Sequence, residues 1–250
     1  MEIRYPCEQD IPGLRNLWKQ AFGDTDEYLD LFFGTAFGPE RCLCVPDGST
    51  VAAAMYWLDC EYLGRRIAYL YAVATDERYR GRGLCRRLTE QAHRILKEQG
   101  YSGAILVPAE PGLFEMYAQM GYKTCTSVTE WEVPAGKTIR LSPLTRAEYA
   151  RCRLDHLPTG AVIQEGVTLD LLGAMGEFYS GDGILLAVMD DGDTLWVPEL
   201  LGDPAKAPGI VAALGAKTGK FRGPGEDKPF AMYHSLDGSS APSYFGFALD

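Results

Sequence analysis

The stretch that decides the fold runs from Tyr69 to Leu96, YLYAVATDERYRGRGLCRRLTEQAHRIL. It opens inside an apolar run, Ile67 to Val73, with no polar interruption, as a strand covered on both faces has. Arg80-Gly81-Arg82-Gly83 then makes a turn. Beyond it Leu84, Leu88, Ala92 and Ile95 recur at helical spacing, while Arg86, Arg87, Glu90, Arg94 and Lys97 fill the opposite face. A strand that feeds a glycine-rich turn opening a helix is a device for holding phosphates. The glycines let backbone approach a ligand closely, and the first N–H groups of the helix have no partners of their own.

Working outward, 250 residues at 46% hydrophobic composition supply core for one large domain or two small ones. No stretch has the apolar length of a membrane span, and the charged start Met1-Glu2-Ile3-Arg4 is unlike a signal peptide, so a cytoplasmic location is expected. The 7 cysteines are odd in number and sit mostly in apolar runs, which suits reduced core thiols. Cys42 and Cys44 are the one close cysteine pair, and only His156 stands near a cysteine, Cys152; no metal is expected.

A net charge of −10 repels nucleic acid and anionic lipid and favours cationic substrates, so neither nucleic acid nor membrane is expected as a partner. Against that background Arg78, Arg80, Arg82, Arg86 and Arg87 form a local basic island. Arginine at a helix N-terminus opposes the macrodipole, and a bound polyanionic small ligand explains it best.

In chain order, Met1 to Tyr5 reads as a first strand, Asp10 as the cap of a helix carrying Leu14, Leu17 and Trp18, and Tyr28, Leu29, Phe32 and Phe33 as the apolar side of a second helix. Strands follow at Arg41 to Val45 and Val51 to Glu61, then Gly103 to Val107 after the crossover helix, a short helix Leu113 to Met120, and Lys123 to Val133 closing the sheet. Pro134-Ala135-Gly136 marks a boundary. Beyond it, strands are expected at Thr138 to Leu141, Ile184 to Val188, Thr194 to Leu201, Phe230 to Tyr233 and Tyr244 to Leu249, with a turn at Asp190-Asp191-Gly192-Asp193. Helices are expected at Arg146 to Leu157, Leu169 to Tyr179 and Ala205 to Leu214.

Arg80-Gly81-Arg82-Gly83-Leu84-Cys85 resembles the acyl-CoA pyrophosphate loop of the GNAT superfamily of N-acetyltransferases, with Cys85 where Gly or Ala is usual. The register Arg78-x-x-Gly81-x-Gly83 also satisfies that pattern. A second stretch, Leu113 to Tyr122, resembles the GNAT signature in which a tyrosine stands four residues before a Gly-Phe or Gly-Tyr pair, and Tyr117 holds that position. The resemblance implies an α/β (α+β) fold: a mixed sheet of the GNAT type flanked by helices, in a catalytic domain over residues 1–134. The coarse repeat of elements over residues 137–250 resembles a second, degenerate GNAT-like half, expected on the substrate side. The pairing is similar to acetyltransferases of the enhanced-intracellular-survival type, without their sterol-carrier-like domain.

What the resemblance implies is transfer of an acetyl group from acetyl-CoA to an amine of a small molecule or peptide. The pyrophosphate-binding residues would be Arg80, Gly81, Arg82, Gly83, Leu84, Cys85 and Arg86, and the strand edge Val73, Ala74 and Thr75 would bond the pantetheine or acetyl carbonyl. Tyr117 would protonate the leaving thiolate. A base is needed as well, because an aliphatic amine of pKa about 10 is mostly protonated at neutrality. Glu61, Asp250 and, more distantly, Glu110 are the carboxylates considered for it. The alternative is an acyl-CoA-binding sensor or scaffold that keeps the loop and does no transfer.

Overall fold

The structure, a computed structural model, describes residues 1–191 and 194–249. In chain order the elements are α1 (Ile11–Phe22), α2 (Asp26–Thr35), β1 (Cys42–Asp47), β2 (Thr50–Tyr62), β3 (Arg65–Thr75), α3 (Leu84–Glu98), β4 (Gly103–Leu106), α4 (Pro111–Ala118), β5 (Lys123–Thr124), β6 (Ser127–Pro134) and β7 (Ser142–Leu144). They continue as α5 (Arg146–His156), β8 (Ile163–Gln164), α6 (Gly166–Met175), β9 (Gly176–Gly181), β10 (Ile184–Asp191), β11 (Thr194–Leu201), α7 (Ala207–Ala213), β12 (Thr218–Pro224), β13 (Lys228–Pro229) and β14 (Met232–Ser235). No described helix is long and apolar enough to cross a membrane.

The chain divides into two units. The first comprises Met1–Leu106, Glu110–Lys123 and Tyr233–Ala241; the second comprises Val107–Ala109, Thr124–Met232 and Pro242–Asp250. In the first unit the strand order is β1-β2-β3-β4-β14-β5. β1, β2 and β3 form antiparallel pairs, and α3 carries the chain back to β4, which lies parallel to β3. Leu84, Leu88 and Ala92 of the stripe read from the sequence are buried, and Leu96, rather than the half-buried Ile95, completes the face that α3 packs. Trp18, Leu29 and Phe32 bury α1 and α2.

The strand that joins β4 in this sheet is β14, from the far end of the chain. Lys123 to Val133 does not close it: β5 is short, and β6 pairs with β12 in the second sheet along Thr218↔Pro134 to Pro224↔Val128. Thus the two units exchange a strand, and the border at residues 134–137 falls within a run of the second unit. Alternation in β6 turns Trp131 and Val133 toward the core of the second sheet and Glu130 and Glu132 outward, a pattern either sheet would accept.

The second sheet has the order β13-β6-β12-β11-β10-β9-β7. Its one parallel pair, β11 with β12, spans α7 as β3 and β4 span α3. Ile184, Leu186, Val197, Ile210 and Phe221 form its core. Arg153 and Glu199 are both buried here, paired at 2.6 Å, and the hydroxyls of Tyr149 and Tyr244 donate to the same carboxylate at 2.8 and 3.2 Å.

Several local expectations are corrected. Met1 to Tyr5 contributes a single bridge, Arg4 with Cys44, rather than a strand. Asp10 caps no α1 N–H; it accepts from the Cys7 N–H at 2.7 Å and pairs with Arg4. The helix expected over Leu169 to Tyr179 ends at Met175, and β9 begins at Gly176, where a Cβ would lie 2.1 Å from the Val188 carbonyl of β10. Thr138 to Leu141 precedes the short β7, and Tyr244 makes one bridge, to Ala161, instead of opening a strand. The expected turn at Asp190 to Asp193 includes Gly192 and Asp193, which lie outside the described residues.

Candidate active site

The C-terminal end of β3 departs from regular pairing. Ala54 stands opposite Ala74 but Tyr56 opposite Tyr71, so Met55 alone faces Ala72 and Val73. This two-for-one count is a β-bulge, and Ala72 carries it with a φ of 48°, unusual for a residue with a side chain. The parallel ladder to β4 runs from Ile67↔Gly103 to Tyr69↔Ile105, whereas β3 continues to Thr75. The Val73-Ala74-Thr75 edge singled out in the sequence therefore lies past the β3–β4 ladder, paired with β2 on one side and not with β4 on the other.

After Thr75, buried Asp76 organises the turn: its carboxylate accepts the Arg78 N–H at 2.9 Å and pairs with the Arg78 guanidinium at 2.8 Å. That partnership holds the Asp76 carboxyl below the usual range. Arg78 is thus committed within the protein, and Arg87 reaches the Met1 carbonyl at 2.9 Å. Arg80 donates to the Thr75 carbonyl at 3.3 Å, Arg82 lies over the Tyr79 ring at 5.1 Å, and Arg86 donates to the Gln119 carbonyl at 3.3 Å; all three are exposed. Gly81 and Gly83 adopt φ values of 74° and 71°, and Gly83 starts α3 with no side chain capping the first turn. An uncapped helix start flanked by three exposed arginines is suited to an anion. Beside it a cavity of about 390 Å³ is lined by Leu17, Gln20 and Ala21 of α1 and by Thr75, Asp76 and Arg80.

Tyr117 lies in α4, and the bond from Arg86 to Gln119 ties the end of α4 to the start of α3. The Tyr117 side chain is buried, and its hydroxyl has no hydrogen bond among the described residues. Burial, with a smaller contribution from nearby Cys85, pushes its pKa above the ordinary phenol value. Half-buried Cys85 has its own thiol pKa raised by burial. Tyr122 meets the Tyr117 ring edge-on at 5.7 Å, and the Tyr122 hydroxyl lies 2.7 Å from His93 Nε2. His93 in turn stacks on His234 of β14, whose Nδ1 donates to the Gly121 carbonyl at 3.0 Å. Sequence reading passed over this support, because its members are far apart in the chain.

The aromatic residues of α1 and α2 divide between core and surface: Phe32 is buried, whereas Tyr28 and Phe33 are half-buried. Trp18, Phe22 and Tyr56 pack around the bulge residue Ala72, leaving no room for a water between them. The Tyr28 and Tyr71 hydroxyls are 2.6 Å apart, and the Trp18 indole donates to Asp24 at 2.7 Å.

The candidate bases are placed differently. Glu61 stands opposite Arg66, at the other end of β3 from Val73, about 20 Å away at the usual strand rise. It is exposed, and the structure does not bring it to the loop. Glu110 is an exposed residue preceding α4. Asp250 lies outside the described residues.

In the second unit, the place after β11 equivalent to the glycine-rich loop is built otherwise. Asp203 caps the short 3-10 turn Pro204–Lys206 by accepting the Ala205 N–H at 2.9 Å, so a carboxylate occupies the position an anion would need.

Residues 2–125 match the family model described as Acetyltransferase (GNAT) domain. That segment, just under half of the chain, is similar to a GNAT acetyltransferase domain. Among solved structures it is similar to a GCN5-related N-acetyltransferase from Kribbella flavida, with a TM-score of 0.71 and 17% identity over 94% of this chain and 71% of that one. It is also similar to Eis1 from Mycobacterium abscessus, with a TM-score of 0.67 and 12% identity over 95% and 74% of the two chains. A putative acetyltransferase from Pyrococcus horikoshii has a TM-score of 0.67 and 14% identity over 97% and 91%. At such identities the likeness is one of fold; it spans both units. The search of curated proteins gave no match.

Proposed function

We propose that this protein transfers the acetyl group of acetyl-CoA to a primary amine of a small molecule or peptide, with Tyr117 as general acid. The observation that carries the reading is the bulged end of β3, past its ladder to β4, followed across one turn by the uncapped, glycine-started α3. N–H groups from Gly81 to Arg86 bind the pyrophosphate, assisted by Arg80, Arg82 and Arg86. Backbone donors at Val73 to Thr75 receive the thioester carbonyl and stabilise the oxyanion that forms when the amine attacks, an effect commonly worth a few kcal/mol. Collapse of that intermediate breaks the C–S bond, and the thiolate takes its proton from Tyr117.

A phenol with a raised pKa retains its proton throughout the neutral range, so the acid is always loaded. The positive end of α3 beside Tyr117 offsets part of the cost of the transient phenolate. The second unit, with Asp203 at its loop, holds no second acetyl-CoA.

The test is thiol release from acetyl-CoA over a panel of polyamines, aminoglycosides, amino acids and peptides, with wild type and Tyr117→Phe. Turnover of at least one amine is expected, with a loss of about 100-fold or more in Tyr117→Phe and unchanged acetyl-CoA binding. Binding without turnover of any amine would overturn the reading in favour of a sensor. Full activity in Tyr117→Phe would remove the tyrosine from the mechanism.

A further inference from the structure

We propose that Asp24, fixed by Trp18 beside the bulged end of β3, receives the ammonium group of the acceptor and takes its proton. The inference rests on the acetyltransferase reading above, and it supplies the base that Glu61 is too far away to be. Asp24 is half-buried in the connection between α1 and α2, and its Oδ2 accepts the Trp18 indole N–H at 2.7 Å. That ring lies 5.5 Å from Tyr71, 6.2 Å from Tyr28 and 5.0 Å from Tyr56, and it packs beside the bulge residue Ala72. One indole therefore links the carboxylate to the place where the thioester carbonyl is received.

Asp24 anchors the Trp18 indole, a task that a neutral acceptor would serve as well. Thr25, not Asp24, caps α2, by accepting the Tyr28 N–H at 3.3 Å. The neighbouring acids are committed elsewhere, Asp30 to Arg15 at 2.6 Å and Asp26 to Arg15 and Lys19. Asp24 has no cationic partner among the described residues, and its Oδ1 carries no hydrogen bond there. Its charge is nevertheless felt by the tyrosine pair: burial first, and Asp24 with it, raises Tyr28 to about 12 and lifts Tyr71 as well. Both hydroxyls thus remain protonated, and an incoming cation meets neutral oxygens, aromatic faces and one free carboxylate oxygen.

The proton balance closes. Of the three ammonium protons, one passes to Asp24 and on to solvent. One is lost from nitrogen as the tetrahedral intermediate collapses, matching the proton delivered to the CoA thiolate through Tyr117, and one remains on the amide. The class of acceptor this favours is an alkylamine, cationic at neutral pH, rather than an arylamine.

The experiment compares wild type and Asp24→Asn with two acceptors, an alkylamine substrate from the panel and hydroxylamine, which is unprotonated at neutrality and needs no base to become nucleophilic. Asparagine keeps an oxygen for the Trp18 indole, and titration with acetyl-CoA checks that the donor site is intact. The expected result is a loss of about 100-fold or more with the alkylamine and none with hydroxylamine. In Asp24→Asn the residual alkylamine rate should climb about tenfold per pH unit toward the amine pKa near 10. Equal losses with both acceptors, or no loss with the alkylamine, would overturn the proposal. Failure of wild type to use either acceptor would instead sink the acetyltransferase reading on which it stands.

Discussion

The imidazoles of His93 and His234 stack 4.1 Å apart and within 7° of parallel, joining α3 to a strand from the far end of the sequence. His93 also faces the Tyr122 hydroxyl at the end of α4; on its own helix Glu90, Arg94 and Lys97 are exposed. Burial, and then the charge of His234, push the His93 pKa from 6.5 down to about 4. A histidine held neutral in the folded state binds fewer protons than in the unfolded chain between those values, so stability should fall as pH drops from 6.5 to about 4. Urea midpoints measured across this window should decline in wild type. They should decline less in His93→Gln, which keeps a hydrogen-bonding group toward Tyr122 and cannot become charged. Equal slopes would contradict the arrangement.

Gly83 is left-handed at φ 71°, and a Cβ there would meet nothing within 4 Å. Gly83→Ala should therefore cost only backbone strain, about 1–2 kcal/mol, visible as a lower melting temperature. Acetyl-CoA binding should weaken as the loop shifts to relieve that strain. Unchanged binding and stability would show that the left-handed turn is not needed.

Glu61 is exposed and stands opposite Arg66, remote from the bulge. Glu61→Gln should leave turnover unchanged with every acceptor and at every pH. A loss confined to protonated amines would restore it as the base.

In the second unit, Glu199 is wholly buried and receives Arg153, Tyr149 and Tyr244. Arg153→Met leaves that charge without its cation and should destabilise the fold by about 3–5 kcal/mol, measured by urea unfolding. A change below about 1 kcal/mol, the scale of exposed pairs, would mean that the pair is more hydrated than its burial indicates.

The first unit was legible wherever its signals were local. The apolar run into β3, the paired glycines and the 3.6-residue stripe of α3 lie within one short stretch, and each fixes its neighbours' conformation. The short helix that carries Tyr117 was legible for the same reason. The strand exchange was not: Ser127 to Pro134 alternates well enough for either sheet, and only packing between segments far apart in the chain gives it to β12 and gives the place beside β4 to β14. Gly176 looked like the middle of a helix because Leu169, Leu171 and Leu172 set a helical rhythm, yet close backbone approach to Val188 makes it the first residue of a strand. Asp24 was hidden by its setting, since an aspartate before a helix normally reads as a cap; only the Thr25 hydrogen bond and the Trp18 indole show that it is not one.

The most direct test of the central claim is isothermal titration of the whole chain with acetyl-CoA. One binding event per chain is expected, competed by free CoA, and weakened when Arg80, Arg82 and Arg86 are replaced together by Gln. Absence of binding, or binding indifferent to those three arginines and to Gly83→Ala, would contradict the assignment of the β3–α3 turn as the pyrophosphate site.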